Sequence, residues 1–192
     1  TADFRALAAL LEVEVAAIRG DLRTVDRAIA WMEKNLAKHS FLDDALAHRA
    51  DLLDRKGETD ATRRAYEAIL ARIPDGDRAP GAAWRIAFQH LRSAHAELAV
   101  PILEKIPTLP RSSDEDLRRA TYWLARSIEL SDPDRSRSID RALASTWSYY
   151  AWLSIDRATR LGAPHAKELR DLALAPFVRS DVPAPALARS IV

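Results

Sequence analysis

Hydrophobic residues recur every three or four positions along nearly the whole chain, the period of an α-helix, and no stretch alternates polar and apolar as a strand does. Residues 3 to 19 carry Phe4, Leu7, Leu10, Leu11, Val15 and Ile18 at this spacing and stop at Gly20. The spacing predicts a helix with those six side chains on its apolar face. Residues 22 to 38 repeat the pattern with Val25, Ile29, Met32 and Leu36. "SFLD" then restarts the chain, with Ser40 as the N-cap and Asp43 at the third helical position. In "SSDED", Ser112 as cap and Glu115 three residues later read as a capping box. Pro74, Pro107 and Pro110 stop helices, and Pro80 sits where one begins. Breaks are expected near 20, 39, 75 to 81, 107 to 113, 132 to 135 and 162 to 165.

The stretch "ALAHRADLLDRKGETDATRRAYEAILARIP", residues 45 to 74, reads as two antiparallel helices joined at Gly57. Leu46, Ala50 and Leu53 share a face of the first; Ala61, Ala65, Tyr66, Ile69 and Leu70 share a face of the second. A small residue at Ala50 lets the second helix approach closely, and Thr62 stands at the small position that opens that helix. Trp84 and then Trp123 recur where Leu46 stands, 38 and 39 residues apart. Periods in this range mark stacked helical hairpins. The predicted fold is all-α: a right-handed, tetratricopeptide-like superhelix of four or five antiparallel hairpins over residues 1–175. Residues 176–192 read as a connector and the start of a further helix. Because the chain opens on Thr1 and stops inside "PALARSIV", a longer parent protein is expected.

The composition narrows the function. With 29 basic and 28 acidic residues the formal net charge is +1, which gives no electrostatic reason to expect nucleic acid as a partner. There is no cysteine, so no disulfide and no thiol chemistry. No apolar run approaches the ~20 residues of a membrane span. The five histidines (His39, His48, His90, His95 and His165) show no metal-ligand spacing. Acidic pairs such as Glu12 with Glu14, Asp43 with Asp44 and Asp51 with Asp54 read as solvated faces or helix N-termini, which favour the ionised form. Glycosidase-type chemistry needs an acid whose pKa burial has raised. No nucleophile elbow or phosphate loop is present. The chain is therefore expected to be no enzyme, with no cofactor and no metal.

Three helical motifs follow one another in order: "AAWRIAFQHLRSA", "LRRATYWLARSIEL" and "SYYAWLSIDRATRLG". Together they resemble the superhelical domain that precedes the catalytic domain in soluble lytic transglycosylases, which cleave peptidoglycan glycan strands. The matched residues are Trp84, Arg85 and Ala87; Arg119, Tyr122, Trp123, Ala125 and Arg126; Ser148, Tyr149, Tyr150, Leu153, Arg157 and, displaced, Leu161. The resemblance covers about residues 80 to 162. That family's catalytic domain opens on a Glu-Ser pair followed by a Gly-rich stretch. Here no Glu precedes a Ser, and the last 30 residues hold no Gly. The resemblance implies a non-catalytic scaffold domain, a periplasmic location, and a glycan strand of peptidoglycan as partner. The alternative is a tetratricopeptide-type module that docks a peptide from a partner protein.

In such arrays the first helix of each hairpin lines the concave surface with residues that face away from the second helix. That logic selects Asp51, Asp54 and Arg55, then Arg85, Gln89 and Arg92, a mixed polar groove suited to a peptide or glycan. The arginines of "RSRS" (135 to 138) with Arg85, Arg92, Arg118 and Arg119 admit two readings, the lining of an anionic groove or a salt-bridged solvated face, and their interleaving with acids favours the second. The aromatics Trp147, Tyr149, Tyr150 and Trp152 read as packing between neighbouring helices; in the alternative, a platform for stacking a sugar, Trp152 is the best placed to be open.

Overall fold

The computed structural model describes residues 2–177. Among them it holds ten α-helices, two 3-10 turns and no strand. The chain divides into two compact units, Thr1–Ala120 and Thr121–Val192. Most of the expected connector and further helix, from 178 onward, lies outside the described residues; Pro176 and Phe177 close the 3-10 turn Ala175–Phe177.

The first unit contains α1 (Ala2–Arg19), α2 (Leu22–Asn35), α3 (Phe41–Arg55), α4 (Thr59–Arg72), α5 (Ala79–Arg92), α6 (Ala96–Lys105) and the opening turns of α7 (Asp114–Ile128). Consecutive helices pack as pairs: α1 on α2, α3 on α4, α5 on α6. The pairs join through α1 and α2 on α3 and through α4 on α5. The turn between α3 and α4 shows how sequence fixes a break. Gly57 takes φ +75°, its N–H donates to Asp54 O (2.9 Å), and the Glu58 N–H donates to Leu53 O (3.1 Å). This is a Schellman closure, which wants a residue without Cβ at the left-handed position. The turn between α5 and α6 has the same two bonds, from Ala94 to Leu91 and from His95 to His90, around an alanine at φ +60°.

The 45-to-74 hairpin buries the faces its spacing predicts. Leu46, Ala50, Leu53, Ala65, Tyr66 and Ile69 are buried, and Ala61 and Leu70 are half-buried beside them. Thr62 is fully buried in the small position. Helix α1 corrects the sequence reading. Its buried face is Ala6, Ala9, Leu10, Val13, Ala16 and Ala17. Of the six residues expected inside, only Leu10 is; Phe4, Leu7, Leu11, Val15 and Ile18 are exposed, Phe4 by 76% and Ile18 by 84%. Both sets recur at helical spacing, and the small one lets α1 lie close against α2 and α3.

The second unit contains the rest of α7, α8 (Pro133–Ala144), α9 (Tyr149–Arg160) and α10 (Ala166–Leu174). Helix α8 packs on α9, and α10 packs on both. Asp132 caps α8 by accepting the Arg135 N–H (3.0 Å), and Ser148 caps α9 by accepting the Ala151 N–H (3.1 Å). At α7 the capping box sits one residue later than Ser112 and Glu115 suggest. Ser113 Oγ accepts the Asp116 N–H (3.1 Å), and the Asp116 carboxylate accepts the Ser113 N–H (3.0 Å). Ser112 instead donates to Ile106 O (2.5 Å), closing the 3-10 turn Ile106–Thr108. Ser40 does precede α3 but makes no side-chain cap bond.

Candidate functional site

A cavity of about 420 Å³ opens in the first unit where α3, α4 and the start of α5 meet. Asp51 comes from α3, Tyr66 from α4, Trp84 and Arg85 from α5, and Arg119 from the first turns of α7. Helical periodicity puts Asp51 one turn beyond Ala47 on the open side of α3, while Leu46, Ala50 and Leu53 turn inward. Burial and the hydrogen bond it donates to Asp51 Oδ1 (2.5 Å) push the Tyr66 hydroxyl well above its ordinary pKa, so it stays protonated. Arg85 lies 3.7 Å from Asp51 and 4.0 Å from Asp54, close enough for charge attraction but beyond hydrogen-bond reach. The Arg119 guanidinium lies over the Trp84 ring at 5.0 Å, a cation–π arrangement, and is held from behind by Asp116 at 2.5 Å.

The structure thus brings three of the expected residues together: Asp51, Asp54 and Arg85. Arg55 turns away to α1, where it donates to Ala17 O (2.8 Å) near that helix's C-terminus, a site that favours a cation. Gln89 is half-buried, with its side-chain oxygen lacking a hydrogen bond, and Arg92 is exposed in the last turn of α5. Trp152 stands in the second unit and is 50% exposed. Sequence reasoning missed Tyr66 and Arg78 as cavity walls, and favoured a salt-bridged face over a groove lining for Arg119. Tyr66 reads as core because the residue is buried, and its hydroxyl finds Asp51 across the hairpin.

The four aromatics at the start of α9 divide. Tyr150 is buried and meets Tyr122 of α7 at 5.8 Å. Trp147, Tyr149 and Trp152 are exposed, against the expectation that they pack between helices. Trp147 still donates its indole N–H to Ala173 O (3.2 Å) at the end of α10. A charged network joins α7, α8 and α9. Arg126 of α7 pairs with the buried Asp140 of α8, whose other oxygen accepts the hydroxyl of the fully buried Ser154 of α9 (2.8 Å). Arg157 of α9 pairs with Glu129 (2.7 Å), which also faces Arg126 at 3.6 Å.

One carboxyl contradicts the solvated reading of the acidic pairs. Asp43 is 2% exposed. It accepts backbone N–H groups from Asp44 (3.0 Å) and Arg78 (3.4 Å). Burial, reinforced by the Asp77 and Asp44 carboxylates, raises its pKa. Asp43, Asp44 and Asp77 are the one acidic grouping tight enough to suggest a cation among the described residues. Arg78 already supplies the positive charge there, 2.5 Å from Asp44. Asp43 also lines a second cavity, of about 550 Å³, together with His39, Ser40, Asp77 and Arg111.

Comparison with protein-family models, with curated proteins and with solved structures finds no match for this chain.

Proposed function

We propose that this chain is a non-catalytic helical scaffold of the kind that precedes the catalytic domain of soluble lytic transglycosylases, built as a superhelix of hairpins that positions an enzyme against a glycan strand of peptidoglycan. The observation that carries the reading is what the motif residues do. Trp84 of the first motif stacks with Arg119 of the second. Tyr122 of the second meets Tyr150 of the third, and Arg126 and Arg157 share Glu129. Ser148 caps the helix that bears the third motif. Residues that hold one another in place have a physical reason to occur together in order, which is the form the resemblance takes. The exposed Trp147, Tyr149 and Trp152 add a surface on which a pyranose can stack.

Two measurements test this. Incubated with purified sacculi, the protein is expected to release no soluble muropeptides; release would overturn the non-catalytic assignment. The source gene is expected to encode, in frame with these residues, a Glu-Ser pair followed by a Gly-rich stretch. A gene without them removes the transglycosylase reading.

A second reading, a module that docks a partner peptide, has its own support in the Asp51–Asp54–Arg85 face and the cavity beside it. Charge reversal at Asp54 or Arg85 is expected to weaken a bound peptide several-fold. A peptide indifferent to both changes would not lie on this face.

A further inference from the structure

We propose that the outward face of α1, with the groove it forms beside α2, docks an amphipathic helix of a partner protein whose edge toward α2 is acidic. Phe4, Leu7, Leu11, Val15 and Ile18 stand three or four positions apart. They fall in one stripe along nearly the whole helix, about 27 Å at 1.5 Å per residue. None of the five is less than 43% exposed. Single apolar side chains on a surface are ordinary, but a continuous stripe marks an interaction site. The stripe also has relief. Leu11 and Val15 line a groove of about 450 Å³ that Ala8 and Ala16 leave shallowly filled, with Asp21 and Thr24 on its α2 side. A ridge beside a groove of small residues is what one helix offers another.

The packing of this unit says that the occupant is a helix. Helix α2 packs on α3 and α4 packs on α5, so each hairpin lays its second helix on the first helix of the next. Helix α1 is the first of its hairpin and packs on α2 and α3, with its stripe turned away from both. Charge then sets the partner's edge. Arg5, Glu12 and Arg19 recur every seven residues and share the edge of α1 nearer α2, where Glu12 meets Arg27 at 3.0 Å. Both arginines are exposed, and neither has a carboxylate partner among the described residues. The opposite edge is already paired: Asp3 faces His39 at 3.3 Å, and Glu14 faces His48 at 3.2 Å. The uncommitted charge beside the stripe is therefore positive and lies on one edge. Two carboxylates about 21 Å apart along a helix would meet it. A second copy fits less well, because a two-fold, antiparallel pairing of α1 helices sets like edges together and brings Arg5 of each toward Arg19 of the other. An anionic membrane fits less well too, since α1 carries Asp3, Glu12 and Glu14 against Arg5 and Arg19.

The test uses the intact chain and two synthetic helices as long as α1, blocked at both ends, with leucine at every third or fourth position. One carries glutamate along the edge that flanks the leucines, the other lysine; the remaining positions are alanine and glutamine. Binding is read by calorimetry at concentrations where sedimentation shows each peptide monomeric. The glutamate helix is expected to bind with a Kd on the order of 10 μM, and the lysine helix about tenfold more weakly. Leu11→Gln combined with Val15→Gln is expected to weaken the glutamate helix by more than about tenfold. Arg5→Glu combined with Arg19→Glu is expected to reverse the preference, a result that a merely sticky surface would not give. All four side chains are exposed, so both variants should keep the parent's circular dichroism and melting temperature. The proposal is overturned if neither helix saturates, if both bind alike, if charge reversal leaves the preference unchanged, or if the leucine and valine changes leave the affinity intact. Sedimentation of the chain alone tests a second copy: a dimer that the leucine and valine changes dissolve would give the face to self-association. Saturable binding to vesicles of phosphatidylglycerol and phosphatidylcholine, lost in the same variant, would give it to a lipid surface. Either result overturns the partner-helix assignment.

Discussion

Two residues sit in environments that work against them, and each gives a measurable sign. Ala94 occupies the left-handed position of a Schellman turn at φ +60°. An L-residue there costs about 1–2 kcal/mol, while glycine at the same place loses about 0.4–1 kcal/mol through the freer unfolded chain. Ala94→Gly is therefore expected to stabilise the protein by about 0.5–1 kcal/mol in urea unfolding, and a loss of stability would contradict the turn geometry. Asp43 has its carboxyl pKa raised above the ordinary 3.8, chiefly by burial. The folded protein then binds that proton more tightly than the unfolded chain does. Asp43 thus supports folding at low pH, and this support fades as pH rises through 3.8 toward the folded value. Asp43→Asn does not titrate. Relative to it, the wild-type protein should lose stability as pH climbs through 3.8 toward the folded value; a constant or opposite difference would show that the Asp43 pKa is not raised.

At the scale of the helix, the question is which side-chain pairs hold the elements to one another. Arg126 and Asp140 join α7 to α8 with side chains only 10% and 5% exposed. Asp140→Ala leaves a buried cation unpaired and is expected to cost about 3–5 kcal/mol. Arg160 and Asp156 form an i,i+4 pair on the open side of α9, 72% and 53% exposed. Asp156→Ala should cost under about 0.5 kcal/mol. Equal effects by thermal unfolding would deny the network its role. The same scale shows what the sequence made legible. The α3–α4 hairpin could be read because its spacing, its Gly57 and its Pro74 agree. The α5–α6 turn could not be placed, because Ala94 carries no turn signal. Helix α1 was read inside out: two faces share the helical period, and only the neighbours decide that the alanine face packs. At the site, Asp51, Asp54 and Arg85 follow from helix periodicity. Arg119 and Tyr66 join them from other helices, a tertiary coincidence that no local pattern encodes.

For the molecule as a whole, the even charge balance and the exposed aromatics make opposite demands on a ligand, and the two can be separated. With 29 basic and 28 acidic residues, many paired on the surface, the chain has little long-range field to draw a polyanion. It should pass through heparin at about 0.15 M salt, where the screening length is ~8 Å. Neutral surface stacking does not need that field. Tyr149 and Trp152, one turn apart on α9 and 67% and 50% exposed, are the side chains best able to meet a sugar ring. If the scaffold touches peptidoglycan, its co-sedimentation with sacculi should be weak, insensitive to salt, and reduced several-fold by the pair Tyr149→Ala and Trp152→Ala, with little change in melting temperature. Tyr150→Ala is the control: that ring is buried against Tyr122, and its loss should cost about 3–5 kcal/mol. Sacculus binding that vanishes with salt but survives the loss of both exposed rings would point to charge, and would place any contact with the cell wall elsewhere on the molecule.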